Sequence, residues 1–235
     1  MTGADIEWLG DSALLLRFGE RVDAALSARV HAVVQALRGA ALPGVRDIVP
    51  AYASITVHYD PAAWNESGAQ EPPGARLAAR LCDFVENCNI SAAGKSLPAV
   101  EIPICYGGEF GPDLAEVAAL AQLDVDTVIA RHLAGAYRVA MLGFAPGFPY
   151  LLGLDPVLHT PRRAQPRTRV PAGSVAIGGA QTGIYPRDLP GGWQIIGRTP
   201  LALFDAARDP PALLAPSQRV RFRAIDAHAF AKLQG

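Results

Sequence analysis

The sequence predicts an α+β protein in two parts, a small N-terminal α/β sandwich followed by a β-rich C-terminal domain. Three observations carry this reading. Before residue 90, runs with helical spacing alternate with runs of strand alternation. Between Asn89 and Pro98 the pattern gives way to a polar, small-residue stretch that suits a domain boundary. Beyond it, short apolar runs recur between turns, and 15 of the 20 prolines stand at residue 98 or later. Many short strands with dense Gly/Pro turns favour a closed or sandwiched sheet over a doubly wound one. The predicted parts are residues 1–90, a linker at 91–98, and residues 99–235.

In chain order, Ala13–Phe18 is an apolar strand ended by Gly19. Asp23 is placed to cap a helix through about Leu37, with Leu26, Val30, Val33, Val34 and Leu37 on one stripe. The turn at Leu42–Val45 leads into a short strand, Val45–Val49. Ser54–Tyr59 alternates as a half-buried strand should, and Asp60-Pro61 closes it. A helix over Ala75–Cys88 carries Leu77, Leu81, Phe84, Val85 and Cys88 on one face. In the second part, strands are expected at Val100–Tyr106, Tyr137–Leu142, Ser174–Ile177, Gln194–Ile196, Leu201–Phe204 and Arg219–Phe222. Short helices are expected at Pro112–Gln122 and Asp126–Leu133. No internal repeat is visible.

Composition narrows the function class. The chain has 235 residues, a net charge of -1 and 50% hydrophobic residues, which excludes a disordered chain and argues against a general nucleic-acid binder. No apolar run approaches the ~20 residues of a membrane span. MTGADIEWLG has neither a basic nor an apolar leader segment, so a cytoplasmic location is expected. Three cysteines (Cys82, Cys88, Cys105) and five histidines without ligand spacing predict neither a disulfide framework nor a metal site. His132 stands out among these histidines because it precedes a predicted strand on a predicted helix.

The charge is unevenly placed. Arginine supplies 19 of the 21 basic residues. Gly143–Pro200 holds 19 Gly or Pro, six arginines, two aspartates and neither lysine nor glutamate. Codon bias accounts for arginine over the whole chain better than within this segment. Gly94-Lys95-Ser96 spells the end of a phosphate loop, but Asn89 replaces the required glycine and Leu97-Pro98 follows where a helix should open. It is therefore not read as a nucleotide site.

Four motifs remain. GGEFGPDL (Gly107–Leu114) joins a strand to a helix, with Pro112 suited to a first helical turn and Asp113 to the positive end of the dipole. It is either a plain turn with a solvated glutamate or a ligand loop in which Glu109 acts as acid or base. GFAPGFPYLLGL (Gly143–Leu154) sets Phe144, Phe148 and Tyr150 among prolines and glycines, as an apolar wall, docking surface or core-lining loop. PRRAQPRTRVPAGSV (Pro161–Val175) spaces Arg162, Arg163, Arg167 and Arg169 along an extended segment. Arg163, Arg167 and Arg169 would share one face, as a solvated surface or as forks for a carboxylate or phosphate. AIGGAQTGIYP and PGGWQIIGRTP bring Gln181, Thr182, Tyr185, Trp193 and Arg198 beside glycines, the composition of a pocket rim.

IPICYGGEFGPDL, YRVAMLGFAPGFPYLLGLD, TPRRAQPRTRVPAGSVAIGGAQTGIYP and PGGWQIIGRTPLALFD, in this order, resemble one carboxyltransferase-type family. That family contains the B subunit of bacterial 5-oxoprolinase, the Kip inhibitor of a sporulation histidine kinase, and proteins labelled as the first subunit of allophanate hydrolase. GDSALLLRFG and LPGVRDIVPAYASITVHYDP extend the resemblance over nearly the whole chain. It implies a cyclophilin-like β-barrel behind the small α+β domain, and a second cyclophilin-like subunit as partner. For a 5-oxoprolinase it implies a third, barrel-type subunit as well, and ATP hydrolysis coupled to opening of the 5-oxo-L-proline lactam. Without a phosphate loop, ATP is expected to be held by the complex. Alternatives are a regulator docking on a histidine kinase and a urea-type carboxyltransferase subunit. On residue chemistry, Glu109, Gln181 and Tyr185 are the expected catalytic groups. Arg162, Arg163, Thr182, Arg198, Phe144 and Phe148 are the expected substrate contacts.

Overall fold

A computed structural model describes residues 4–66, 68, 70–87 and 98–234. Two compact units divide the chain, Met1–Ser96 and Leu97–Gly235. The expected linker at 91–98 lies outside the described residues except for Pro98, as do Cys88 and Gly94-Lys95-Ser96.

In the N-terminal unit the elements are β1 (Asp5–Trp8), β2 (Ala13–Arg17), α1 (Ala24–Ala40), β3 (Val45–Pro50), β4 (Ser54–Tyr59) and α2 (Pro73–Asn87). The strands form one antiparallel sheet in the order β1-β2-β4-β3. Its register sets Leu14 opposite Val57 and Val57 opposite Ile48, so one apolar face is continuous across three strands. On that face lie Val30, Val33, Val34 and Leu37 of α1 and Leu77, Leu81 and Val85 of α2, all within one buried cluster. Asp23 starts α1 as its spacing predicts, its carboxylate accepting the Leu26 N–H at 2.8 Å. β1 lies outside the expected elements, because DIEW holds only two apolar residues, too few to declare a pleat.

The C-terminal unit contains β5 (Val100–Tyr106), α3 (Leu114–Ala121), α4 (Val125–Ala134), β6 (Tyr137–Leu142), β7 (Pro149–Leu152), β8 (Arg167–Val170), β9 (Ser174–Gly178), β10 (Gln181–Ile184), β11 (Leu189–Gly191), β12 (Gln194–Arg198), β13 (Arg219–Ala224) and α5 (Ala227–Gln234). Seven strands close into a barrel in the order β10-β7-β6-β13-β5-β12-β9. Among the described residues, the β13–β5 pair alone is parallel; β8 and β11 form a separate ribbon. The α+β class and the barrel are those expected.

Strand alternation sorts the barrel residues into two layers. Ile102, Ile104, Val139, Leu151, Val175, Ile177, Ile184, Val220 and Phe222 join one core with residues of α3 and α4. Ala176 and Ile195 point the other way, into a second cluster with Phe148, Val170, Tyr185 and Trp193. The candidate site is built on that second cluster.

The structure corrects several expectations. Leu201–Phe204 is no strand: Phe204 forms only an isolated antiparallel bridge with Ala212, flanked by the Leu213 N–H to Leu203 O and Asp205 N–H to Pro211 O bonds, and the ladder does not continue. Conversely, the loop expected over Gly143–Leu154 becomes a strand from Pro149, whose missing N–H is tolerated at the first strand position. The helix expected from Pro112 begins at Leu114, and Asp113 makes no side-chain capping bond to it. Asp124, rather than Asp126, precedes α4 and caps it through the Thr127 N–H at 2.7 Å. Among the described residues, no helix is long and apolar enough to cross a membrane.

Candidate functional site

The β6–β7 connection turns on three bonds, Phe148 N–H to Ala145 O at 3.0 Å, Ala145 N–H to Gly143 O at 2.7 Å and Gly143 N–H to Phe148 O at 3.1 Å. Two residues in it have positive φ: Gly147 at 79° and Phe144 at 67°. Gly147 suits its place twice over, since a Cβ there would stand 2.7 Å from that of Phe204. Phe144 has no such excuse. Left-handed backbone costs a non-glycine residue about 1–2 kcal/mol, and the strain holds a ring that remains 61% exposed.

Phe148, by contrast, is buried and is the hub of an aromatic cluster. Its ring centroid lies 5.2 Å from Tyr185, 5.7 Å from Trp193, 4.9 Å from Tyr150 and 5.4 Å from Phe144. All but the Tyr150 contact are edge-to-face, an arrangement the ring quadrupoles favour. These rings wall a pocket of about 350 Å³, completed by Arg162, Arg163, Pro166, Pro190, Gly191 and Gly192.

The arginines differ in how far they are committed. Arg167 grips Asp113 with both terminal nitrogens, at 2.9 and 2.7 Å. Arg163 adds a third bond to the same carboxylate at 3.1 Å, and the Ile195 N–H a fourth at 2.7 Å. Asp113 is buried, so its charge needs these partners. Arg169 leaves the group and pairs with Asp188 at the surface, so the expected three-arginine face is two arginines and a shared aspartate. Arg162 remains: it lies over the Trp193 ring at 5.9 Å and makes no ion pair or hydrogen bond among the described residues. The Arg163 Nε is buried and has no hydrogen-bond partner among the described residues. Burial pushes the Tyr185 phenol up in pKa, a hydrogen bond with the Trp193 backbone opposing the shift. Tyr150 is raised by burial too, with Arg162 opposing.

Of the residues expected from sequence, Phe144, Phe148, Arg162, Arg163 and Tyr185 converge on this pocket. Thr182 does not. It lies on the other face of β10, where its hydroxyl donates to Ala176 O at 3.0 Å and meets His132 Nε2 at 3.3 Å. Because that hydroxyl proton is spent on Ala176, Nε2 must be the donor to Thr182. His132 Nδ1 then accepts the Tyr106 O–H at 2.8 Å. Desolvation drives the His132 pKa down to about 3, which makes it a neutral core histidine. Arg198 is also elsewhere: its Nε donates to Ala172 O at 2.8 Å and it faces the Phe230 ring of α5. Gln181 and the exposed Glu109 are not among the pocket's lining residues.

The glycine loop likewise serves packing. Gly111 lies against the Ile196 carbonyl, where a side chain would collide, and Gly107 N–H bonds that carbonyl at 3.1 Å. What the motif contributes to the site is Asp113, which the sequence marks only as a helix-end charge. One signal could have found it. Six arginines with two aspartates in Gly143–Pro200 require acid from elsewhere if any are buried. Among the described residues, no group of three or more His, Cys, Asp and Glu could hold a metal ion.

The resulting pocket combines apolar walls with one guanidinium that is uncommitted among the described residues. That set suits a small ring-bearing carboxylate. Comparison with known proteins adds the wider frame. The family description "Carboxyltransferase domain, subdomain C and D" matches residues 4–214. The 5-oxoprolinase B subunit of Bacillus subtilis is 44% identical over 234 residues, covering 96% of this chain and 95% of that protein. Its namesake from Escherichia coli O157:H7 is 42% identical, covering 91% and 93%. Among solved structures, the protein TTHA0988 superposes with a TM-score of 0.76 at 40% identity, over 92% of this chain. This chain spans only 40% of the length of that one.

Proposed function

The chain belongs to the carboxyltransferase-domain family, subdomains C and D, and from that premise we propose that it is a subunit of an ATP-dependent 5-oxoprolinase. The observation that carries the proposal is similarity to a 5-oxoprolinase B subunit along 95% of that protein's length. Its chemistry agrees with the aromatic pocket. 5-Oxo-L-proline is a five-membered lactam with one carboxylate. The ring packs against the aromatic wall to which Phe148, Tyr185 and Trp193 contribute, and the carboxylate pairs with Arg162, the guanidinium that no acid among the described residues claims.

A lactam is a poor electrophile because nitrogen donates into its carbonyl. ATP supplies the activation by phosphorylating the carbonyl oxygen, and water then opens the ring to give L-glutamate, ADP and phosphate. This chain's own part is to bind and orient. Arg162 fixes the carboxylate, and the rings exclude water from the pyrrolidone face. Tyr185 remains protonated at neutral pH and can donate but not act as a base. Glu109 and Gln181 take part only if a partner subunit brings the reacting carbonyl to them.

Partners follow from the same reading: a second cyclophilin-like subunit and a third, barrel-type one, with ATP held by the complex in the cytoplasm. Co-expression of this chain with those two subunits tests the proposal. The expected result is 5-oxoproline-dependent release of glutamate that disappears when this chain is left out. A verified assembly without turnover, together with inhibition of a sensor histidine kinase by this chain alone, would overturn it. The exposed Phe144 would then be a docking anchor.

A further inference from the structure

We propose that a groove on the opposite strands of the barrel, lined by Arg138, Arg219 and Arg221, is a binding site for a polyphosphate anion. It shares no lining residue with the aromatic pocket and does not depend on the lactam reading.

The first observation is a repulsion built into the sheet. β13 pairs with β6 so that Arg219 stands directly opposite Arg138. Like charges at directly opposed positions destabilise an antiparallel pair. Arg221, two residues on, shares their face, while Val220 and Phe222 between and beyond turn into the core. The three arginines line a groove of about 450 Å³ with Ala99, residues 133–136 and neighbouring residues of both strands. No aspartate or glutamate is among the lining residues.

The second observation is how little opposes these charges. Glu101 of β5 is the register partner of Arg221, but its carboxylate is bonded to Arg223 at 2.6 Å. Arg138 donates to Ser217 O and Oγ at 3.3 and 3.2 Å, both neutral acceptors. Arg219 and Arg221 make no hydrogen bond or ion pair among the described residues, and both are exposed. The C-terminal end of α4 forms one wall and does favour cations, but it amounts to about half an elementary charge. Three guanidiniums against half a charge leave a clear positive surplus. Guanidinium forks match phosphate oxygens, and a chain of phosphoryl groups carries the charge needed. The groove is concave, which suits a compact anion better than the flat face of an acidic protein.

Calorimetric titration of the full chain with inorganic tripolyphosphate, ATP and adenosine tests this. Tripolyphosphate and ATP should bind with similar affinity and adenosine should not bind. Arg219→Gln and Arg221→Gln should each weaken binding about tenfold or more, as loss of a charge-assisted contact does. Arg187→Gln removes the same charge from an exposed arginine elsewhere and should change affinity less than about threefold. Melting curves check that each variant is folded. The proposal is overturned if folded protein binds neither polyphosphate, or if Arg187→Gln weakens binding as much as the groove variants. It is also overturned if the groove variants impair only assembly with partner subunits.

Discussion

Arg167 holds Asp113 through both terminal nitrogens across 54 positions of sequence, and this one contact fastens the glycine loop to the arginine segment beside the pocket. The carboxylate also carries Arg163 and the Ile195 N–H, so its removal orphans several donors at once. Asp113→Ala should therefore destabilise the chain by about 2–4 kcal/mol, somewhat under the usual cost of breaking a buried ion pair because both arginines are partly exposed. Urea unfolding measures it. Arg167→Lys should lose less, retaining the charge without the fork.

Arg162 differs from Arg163, Arg167 and Arg169 in having no acid to hold among the described residues. Its replacement should spare stability and damage substrate binding. Both Arg162→Gln and Arg162→Lys should raise KM for 5-oxoproline about tenfold or more, with assembly unchanged by size-exclusion chromatography. An unchanged KM would remove Arg162 from the carboxylate site.

Phe144 separates stability from function. Phe144→Gly relieves the left-handed strain, whereas Phe144→Ala keeps it, so the glycine variant should be the more stable of the two by about 1 kcal/mol. Both lose the ring and both should bind substrate less well. Melting temperatures compared with KM for the two variants check the pairing.

His132 sets an acid limit. Its folded pKa, about 3, lies below the ordinary 6.5, so the unfolded chain binds its proton first as pH falls. The stabilisation is complete above pH 6.5 and is lost progressively toward pH 3, with a slope approaching about 1.4 kcal/mol per pH unit. Denaturant unfolding across the mildly acidic range below neutrality should show that slope, and His132→Gln should flatten it. Nitrogen NMR should find the Nε2–H tautomer.

The parts legible in the sequence are those whose signal is local. Ser54–Tyr59, Val100–Tyr106 and Tyr137–Leu142 occupy the predicted bounds because each carries enough apolar residues to declare its pleat. β10 and β11 fall in turn-rich motifs and exist only through their ladders; QTGI and LPG have no strand signature of their own. The aromatic half of the site is legible too, since proline-stiffened aromatics exclude long regular structure. Thr182 is misplaced by sequence because one residue's offset along a strand moves a side chain to the opposite face of the wall. Asp113 is invisible as a hub because its partners come from 50 and 54 residues away.

That this chain helps open a lactam at the expense of ATP is tested most directly by the product ratio from the purified three-subunit complex supplied with 5-oxo-L-proline and ATP. Glutamate and ADP released one for one, and neither formed when either substrate or this chain is withheld, is the result the pocket and the family predict. ADP release indifferent to 5-oxoproline, or no glutamate from a verified assembly, would contradict it.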